Sequence, residues 1–133
     1  MKAGSQRRIV VNMADFANLS LIRLPEALRR KLKHASVVAS DAVPADVVTM
    51  QCAVALLDEA SGERRVVRLV YPEEAKAASD RVSVIEPLGA NLFAARVGES
   101  IKVNDANGAR SLRIAEITYQ PEDSMRTNLV VRG

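Results

Sequence analysis

Ser-Val-Ile-Glu-Pro-Leu-Gly-Ala-Asn-Leu-Phe-Ala-Ala-Arg-Val-Gly-Glu, residues 83–99, carries the reading of the fold. It begins as a strand end, turns at a proline, continues as a short helix and closes on Val-Gly-Glu. Pro87 suits a first helical turn, where its missing N–H costs nothing. Leu88, Leu92 and Ala95 recur at helical spacing and make one apolar stripe about two turns long. Gly98 is placed to stop the helix, so that Ile101-Lys102-Val103 opens a strand.

Working outward, Arg81–Ile85 reads as the strand that feeds this helix. Before it, Val47–Asp58 is rich in β-branched and small apolar residues and reads as a strand. Glu59-Ala60-Ser61-Gly62-Glu63 makes a hairpin turn, and Arg64–Tyr71 returns, alternating at Val66, Arg68 and Val70. Pro72-Glu73-Glu74-Ala75 breaks that strand. Ser100–Val103 and Ala109–Gln120 form two more strands, joined through Asn104–Gly108, whose Asn-Gly pair is a strong turn signal. The chain from Pro121 on reads as frayed. Five strands, mostly hairpin-linked, with one late helix, define an α+β fold in which a curved antiparallel sheet covers a helix.

Toward the N-terminus, residues 1–8 read as an untethered tail. Phe16, Leu19 and Ile22 recur at helical spacing behind Asn12, a fair N-cap. Leu24-Pro25 interrupts that helix. A second one spans about Pro25–Val37, with Leu24, Leu28, Leu32 and Ala35 as its seam. The result is a stubby αα-hairpin over residues 1–42, ahead of the sheet domain at 43–133. Polar Ser40–Asp46 links the two.

The chain has 133 residues, 48% of them apolar and 26% charged, which suits a soluble domain able to bury its own core. Aromatics are only 3%, which weighs against an aromatic-lined ligand pocket or a base-stacking platform. The single cysteine, Cys52, has no partner for an internal disulfide and fits a reducing compartment. No apolar run approaches the roughly 20 residues that span a bilayer, and no signal peptide is evident, so the expected location is cytoplasmic. Residues 1–45 hold eight basic and three acidic residues, whereas the remainder is slightly acidic. Either an anionic surface meets the basic front, or its charges solvate a helix face.

Catalytic constellations are poor. His34 is the only histidine, so one chain cannot assemble a His-based triad or a His cluster for a metal. Cys52 lies in an apolar strand and reads as a buried small hydrophobe. The adjacent carboxylates Asp58/Glu59 and Glu73/Glu74 fall in turns, where such pairs are ordinarily solvated. No phosphate-binding glycine loop is present. The residues argue for no enzyme, no cofactor, no metal and no small-molecule substrate.

Residues 83–99, together with Asp46-Val47-Val48-Thr49-Met50 and Leu69–Pro72, resemble the C-terminal domain of the bacterial Gre-type transcription elongation factors. There a Ser-Pro-Leu-containing strand-to-helix junction precedes Val-Gly-Asp/Glu. The similarity covers about Leu24–Gln120, and the compact length points to a small branch, the nucleoside diphosphate kinase regulators. The resemblance implies an FKBP-like sheet-and-helix domain behind a short coiled-coil hairpin. FKBP-like prolyl isomerases wall their pocket with several aromatics; this chain has only Phe16, Phe93, Tyr71 and Tyr119, so that activity is not expected.

Gre factors insert a long coiled coil into the secondary channel of RNA polymerase, and acidic residues at its tip help hold a catalytic magnesium. Here the tip falls at Arg23 and Glu26. The two helices, at about 1.5 Å per residue, reach only about 15–20 Å, and one carboxylate beside a guanidinium is a weak magnesium ligand. The resemblance therefore implies docking at the rim of that channel without transcript cleavage. By position, the partner surface comprises Ser83, Glu86, Pro87, Leu88 and Gly89. Leu88 also fits a core position, and Pro87 and Gly89 also fit turn formers; Glu86 is the strongest contact candidate. Two alternatives stay open. One is a homodimer packing the Leu24/Leu28/Leu32 seam against a second copy. The other is a salt-sensitive nucleic-acid binder using Arg29, Arg30, Lys31 and Lys33.

Overall fold

A computed structural model describes residues 9–105 and 108–123. Strand β1 (Val10–Asn12) runs directly into helix α1 (Met13–Leu19). Asn12 caps the helix, its Oδ1 accepting the Ala14 N–H at 2.7 Å. A turn through Leu24-Pro25 leads to helix α2 (Glu26–Lys33), with Glu26 in the first turn and Arg30, Lys31 and Lys33 in the last, all favourable to the helix dipole. The helix ends at His34, earlier than the seam suggested, and strand β2 (Ser36–Val38) follows. β2 pairs in parallel with β1, Val11 opposite Val37. The helical hairpin is thus clasped at its base by a two-stranded ribbon. Ser36 and Val37, read above as the helix end, go with Val38 to a strand, which β-branched residues favour.

Strands β3 (Ala53–Asp58), β4 (Arg64–Val70), β5 (Arg81–Ser83), β6 (Ser100–Asp105) and β7 (Gly108–Tyr119) form the main sheet among the described residues, in the order β5-β4-β3-β7-β6. β3 begins later than the apolar run because Val47–Gln51 instead lies along the far end of the junction helix. There Val48 exchanges backbone hydrogen bonds with Ala94 and Ala95, and Gln51 takes a φ of 69°. In the β3–β4 turn, Asp58 Oδ1 accepts the Ala60 and Ser61 N–H groups and Gly62 adopts a φ of 79°. Residues 106–107 of the β6–β7 connection lie outside the described residues, but Asp105 pairs with Gly108 on either side of it.

The sheet is not wholly antiparallel. A 3-10 turn at Pro72–Ala77 carries the chain across, and β5 lies parallel to β4, Leu69 opposite Val82. Helix α3 (Pro87–Leu92) then packs over the sheet. It stops at Leu92, short of Ala95, because Phe93 swings to an extended ψ of 128° and Ala94 follows at a φ of 67°; Gly98, at 96°, serves the following turn instead.

The core is one continuous cluster. Leu88, Leu92 and Phe93 meet Val54, Leu56, Val67, Leu69, Leu112 and Ile114 from the sheet. Val11, Leu19, Leu28 and Leu32 of the hairpin belong to the same cluster. Of the Leu24/Leu28/Leu32 seam, Leu28 and Leu32 therefore pack into the chain's own body, while Leu24 stays half-buried at its edge. At the far end Pro121-Glu122-Asp123 forms a helical turn, not a frayed end; Glu122 is 3% exposed. Its carboxylate accepts from Asn12 Nδ2 at 2.6 Å and Thr49 Oγ1 at 2.8 Å, pinning the turn to β1 and to the Val47–Gln51 segment. The tail at residues 1–8 and the segment 124–133 lie outside the described residues.

Candidate partner-docking site

The junction is built from backbone constraints. β5 ends at Ser83, and Val84 N–H still donates to Val70 O at 2.9 Å. The chain then folds back tightly. Glu86 N–H donates to Ser83 O at 3.1 Å, the Glu86 carboxylate accepts the Ser83 N–H at 3.3 Å, and Ser83 Oγ accepts the Ile85 N–H at 3.3 Å. Pro87 starts α3 with its φ preset. Gly89 is required by proximity: a Cβ there would lie 1.9 Å from Ser83 O. The helix thereby sits directly against the strand end.

This geometry sorts the five predicted contact residues. Ser83 and Leu88 are buried, at 4% and 8% exposure, and Gly89 is buried as well. Glu86 and Pro87 are exposed. Ile85, which the sequence reading passed over as strand, is 40% exposed beside them. The solvent-facing edge of the junction is therefore Ile85-Glu86-Pro87, one aliphatic, one anion and one rigid ring, presented by a turn that Ser83 and Gly89 hold in shape. Glu86 has a local task besides: its carboxylate makes no capping bond to α3 but reaches back to the Ser83 N–H and helps close the turn.

The other end of α3 holds a feature that sequence reasoning missed. Lys31, grouped above with the basic face, turns inward, and its Nζ donates to Phe93 O at 2.6 Å, Ala90 O at 2.9 Å and Asn91 O at 3.4 Å. It caps the orphan carbonyls of a helix on another segment. Burial pushes its pKa down to about 8, against a smaller upward pull from Glu99. A signal existed: position 31 follows Leu28 by three and Leu24 by seven, so it lies on the seam. Asp15 makes a second tie, its Oδ2 accepting the Met50 N–H at 3.1 Å. Burial raises Asp15 to about 7, partly offset by that hydrogen bond and reinforced by the nearby Glu122 carboxylate. The hairpin and the junction are therefore fixed relative to one another.

At the hairpin tip Arg23 is exposed, and Glu26 bonds to Arg29 and, at 3.3 Å, to Arg30. The Arg29 hydrogen bond and charge, then those of Arg30, hold the Glu26 carboxyl below its ordinary range. The helices are 7 and 8 residues long, shorter still than the sequence suggested. Arg29, Arg30 and Lys33 share one exposed side, but Lys31 does not join them. Cys52 is fully buried; burial pushes its thiol up in pKa, and it accepts the Thr49 N–H at 3.2 Å. Among the described residues no three or more His, Cys, Asp or Glu side chains gather to hold a metal ion, and no helix is long and apolar enough to cross a membrane.

A sheet with a helix set hard against a strand end, behind a clasped hairpin, defines a class, and the comparisons agree on it. The chain belongs to the GreA/GreB family: the profile described as "Transcription elongation factor, GreA/GreB, C-term" matches residues 43–119. Within that family it is similar to the regulator of nucleoside diphosphate kinase of Escherichia coli strain K12, at 33% identity over 128 residues, covering 89% of this chain and 94% of that protein. It is also 33% identical over 92 residues to the transcription elongation factor GreA of Azorhizobium caulinodans, covering 69% of this chain and 59% of that longer protein. Among solved structures, the prokaryotic transcription elongation factor GreA/GreB from Nitrosomonas europaea aligns with a TM-score of 0.75 at 28% identity, over 85% of this chain and 99% of that one. Gfh1 of Thermus thermophilus, at 20% identity and a TM-score of 0.52, shares the fold. The relatives bear the names of regulators and elongation factors, not of catalysts.

Proposed function

We propose that this chain is a non-enzymatic, cytoplasmic transcription regulator that binds bacterial RNA polymerase at the rim of its secondary channel. In this reading residues 43–133 are the docking domain and residues 1–42 a short arm. The chain occupies the rim, competes with full-length Gre factors and does not stimulate transcript cleavage. The observation that carries the reading is the exposed Ile85-Glu86-Pro87 edge, held in a fixed shape by Ser83 and Gly89 and presented by a Gre-family domain. A preset edge of this kind loses little entropy on docking. The tip accords with a role by occupancy, since Glu26, the one carboxylate of residues 20–26, is engaged by Arg29 and Arg30.

The test is a titration into core polymerase with a full-length Gre factor as competitor. Saturable binding that the competitor displaces is expected, and Glu86→Lys should weaken it by about tenfold or more. The chain should leave cleavage in stalled complexes at its background rate. Absence of binding at roughly 50 μM, or binding indifferent to the competitor, would contradict the proposal.

A further inference from the structure

The hairpin carries an apolar groove that the core leaves open. Leu19 and Leu32 are buried at its floor, while Phe16, Ile22 and Leu24 wall it and remain half-buried. Its volume is about 310 Å³, and Arg29 and Lys33 stand on its rim. Those same two side chains also line an adjoining depression of about 390 Å³, shared with Glu26, Arg30 and His34. The two hollows are therefore one composite surface, apolar on one side and cationic on the other. On the cationic side three cations stand against one carboxylate.

We propose that this composite groove docks an acidic amphipathic helical segment of a partner protein. Apolar side chains on one face of the segment would enter between Phe16, Ile22 and Leu24. Carboxylates on its flank would meet Arg29, Arg30 and Lys33. An amphipathic helix laid in a groove matches this pairing, with anchors at i, i+3 or i+4, and i+7. The groove lies at the small end of the roughly 300–1,000 Å³ that specific pockets occupy, which suits a few aliphatic anchors.

Charge selects this occupant over the others. Residues 1–8 hold Lys2, Arg7 and Arg8, and residues 124–133 hold Arg126 and Arg132, with no acid in either segment. Both would bring like charge to the rim. A second copy docking by two-fold symmetry would bring the same cationic rim into the interface twice, Arg29, Arg30 and Lys33 from each copy against one Glu26 apiece. A nucleic acid would satisfy the cations and leave the apolar walls uncovered. The proposal does not rest on the polymerase reading, because the junction edge and this groove are separate surfaces.

The experiment is a selection of a random library of about 16-residue peptides, displayed on phage, on the immobilised full chain. The library is counter-selected on the Arg29→Glu/Lys33→Glu variant, whose substituted side chains are exposed and whose fold is checked by circular dichroism. Enriched sequences should pair apolar residues at helical spacing with Asp or Glu flanks. A synthetic representative should shift the amide signals of Phe16, Ile22, Leu24 and Leu32, and should lose at least about tenfold in affinity on the double charge reversal and on Ile22→Ser. Lack of enrichment, basic or unpatterned winners, signals that move on another face, or self-association that protects the groove would each overturn the proposal. So would a single-stranded oligonucleotide that outcompetes every selected peptide, since it would assign the cations to phosphate.

Discussion

Replacing Asp15 by Asn should stabilise this chain, and by more as the pH rises. Asp15 sits in the first turn of α1, 9% exposed, with its Oδ2 on the Met50 N–H. Its carboxyl is raised from 3.8 to about 7 by burial first, with the nearby Glu122 carboxylate adding to the effect and the Met50 bond opposing it. The unfolded chain therefore loses this proton near pH 4, while the folded chain keeps it until about pH 7. Between those values the folded state binds more protons, so raising the pH favours unfolding, and above pH 7 the cost levels off. A gap of about three units at about 1.4 kcal/mol each sets the full cost at about 4 kcal/mol. Roughly 2–3 kcal/mol of that falls between pH 5 and pH 8.

Asparagine retains an oxygen for Met50 and cannot ionise. The stability difference between Asp15→Asn and the parent should therefore widen by about 2 kcal/mol between pH 5 and pH 8, after some relaxation around the site. Urea unfolding followed by far-ultraviolet circular dichroism at the two pH values measures it, since the chain has no Trp to follow. Titrating groups that do not interact with Asp15 cancel in the comparison. A difference that does not change with pH, or that shrinks as pH rises, would refute the reasoning.

Three further substitutions test the frame around the site. Gly89→Ala forces a Cβ to within 1.9 Å of Ser83 O unless the helix moves, and should cost about 3 kcal/mol in urea unfolding. Lys31→Met keeps the aliphatic stem but uncaps α3, and should cost about 1 kcal/mol at neutral pH, with faster amide exchange at the end of α3. Because the folded chain sheds the Lys31 proton near pH 8 and the unfolded chain near 10.5, the parent should gain further on this variant as pH rises between those values. Glu122→Ala leaves the buried Asn12 amide and Thr49 hydroxyl without their acceptor and should cost about 2–3 kcal/mol by thermal or urea unfolding.

What was legible in the sequence is what short-range chemistry decides. The Asp58–Gly62 turn, the β6–β7 hairpin, Asn12 as a cap and the Pro87 start of α3 each follow from neighbours a few residues apart. Pairings set by distant partners were not legible. β1 and β2 have 3 residues each and join in parallel across the whole hairpin, and β5 becomes parallel only because a 3-10 turn carries the chain over. The direction of a charged side chain was equally hidden. Lys31 looked like one more surface cation, yet its seam position aims it at carbonyls some sixty residues away. Glu122 read as part of a loose end because nothing local says that Asn12 and Thr49 await a carboxylate. Ile85 was legible as apolar but not as exposed, since Ser83 rather than alternation fixes the turn that carries it outward.

The most direct test of the central claim is a photocrosslink from the junction edge to polymerase. A photoreactive residue at Ile85 should crosslink to the rim of the secondary channel in purified core enzyme, and a full-length Gre factor should abolish the product. The same probe at Glu116, exposed on β7, should give none. Crosslinks from Glu116 and not from Ile85, or no product from either position at saturating enzyme, would contradict the account.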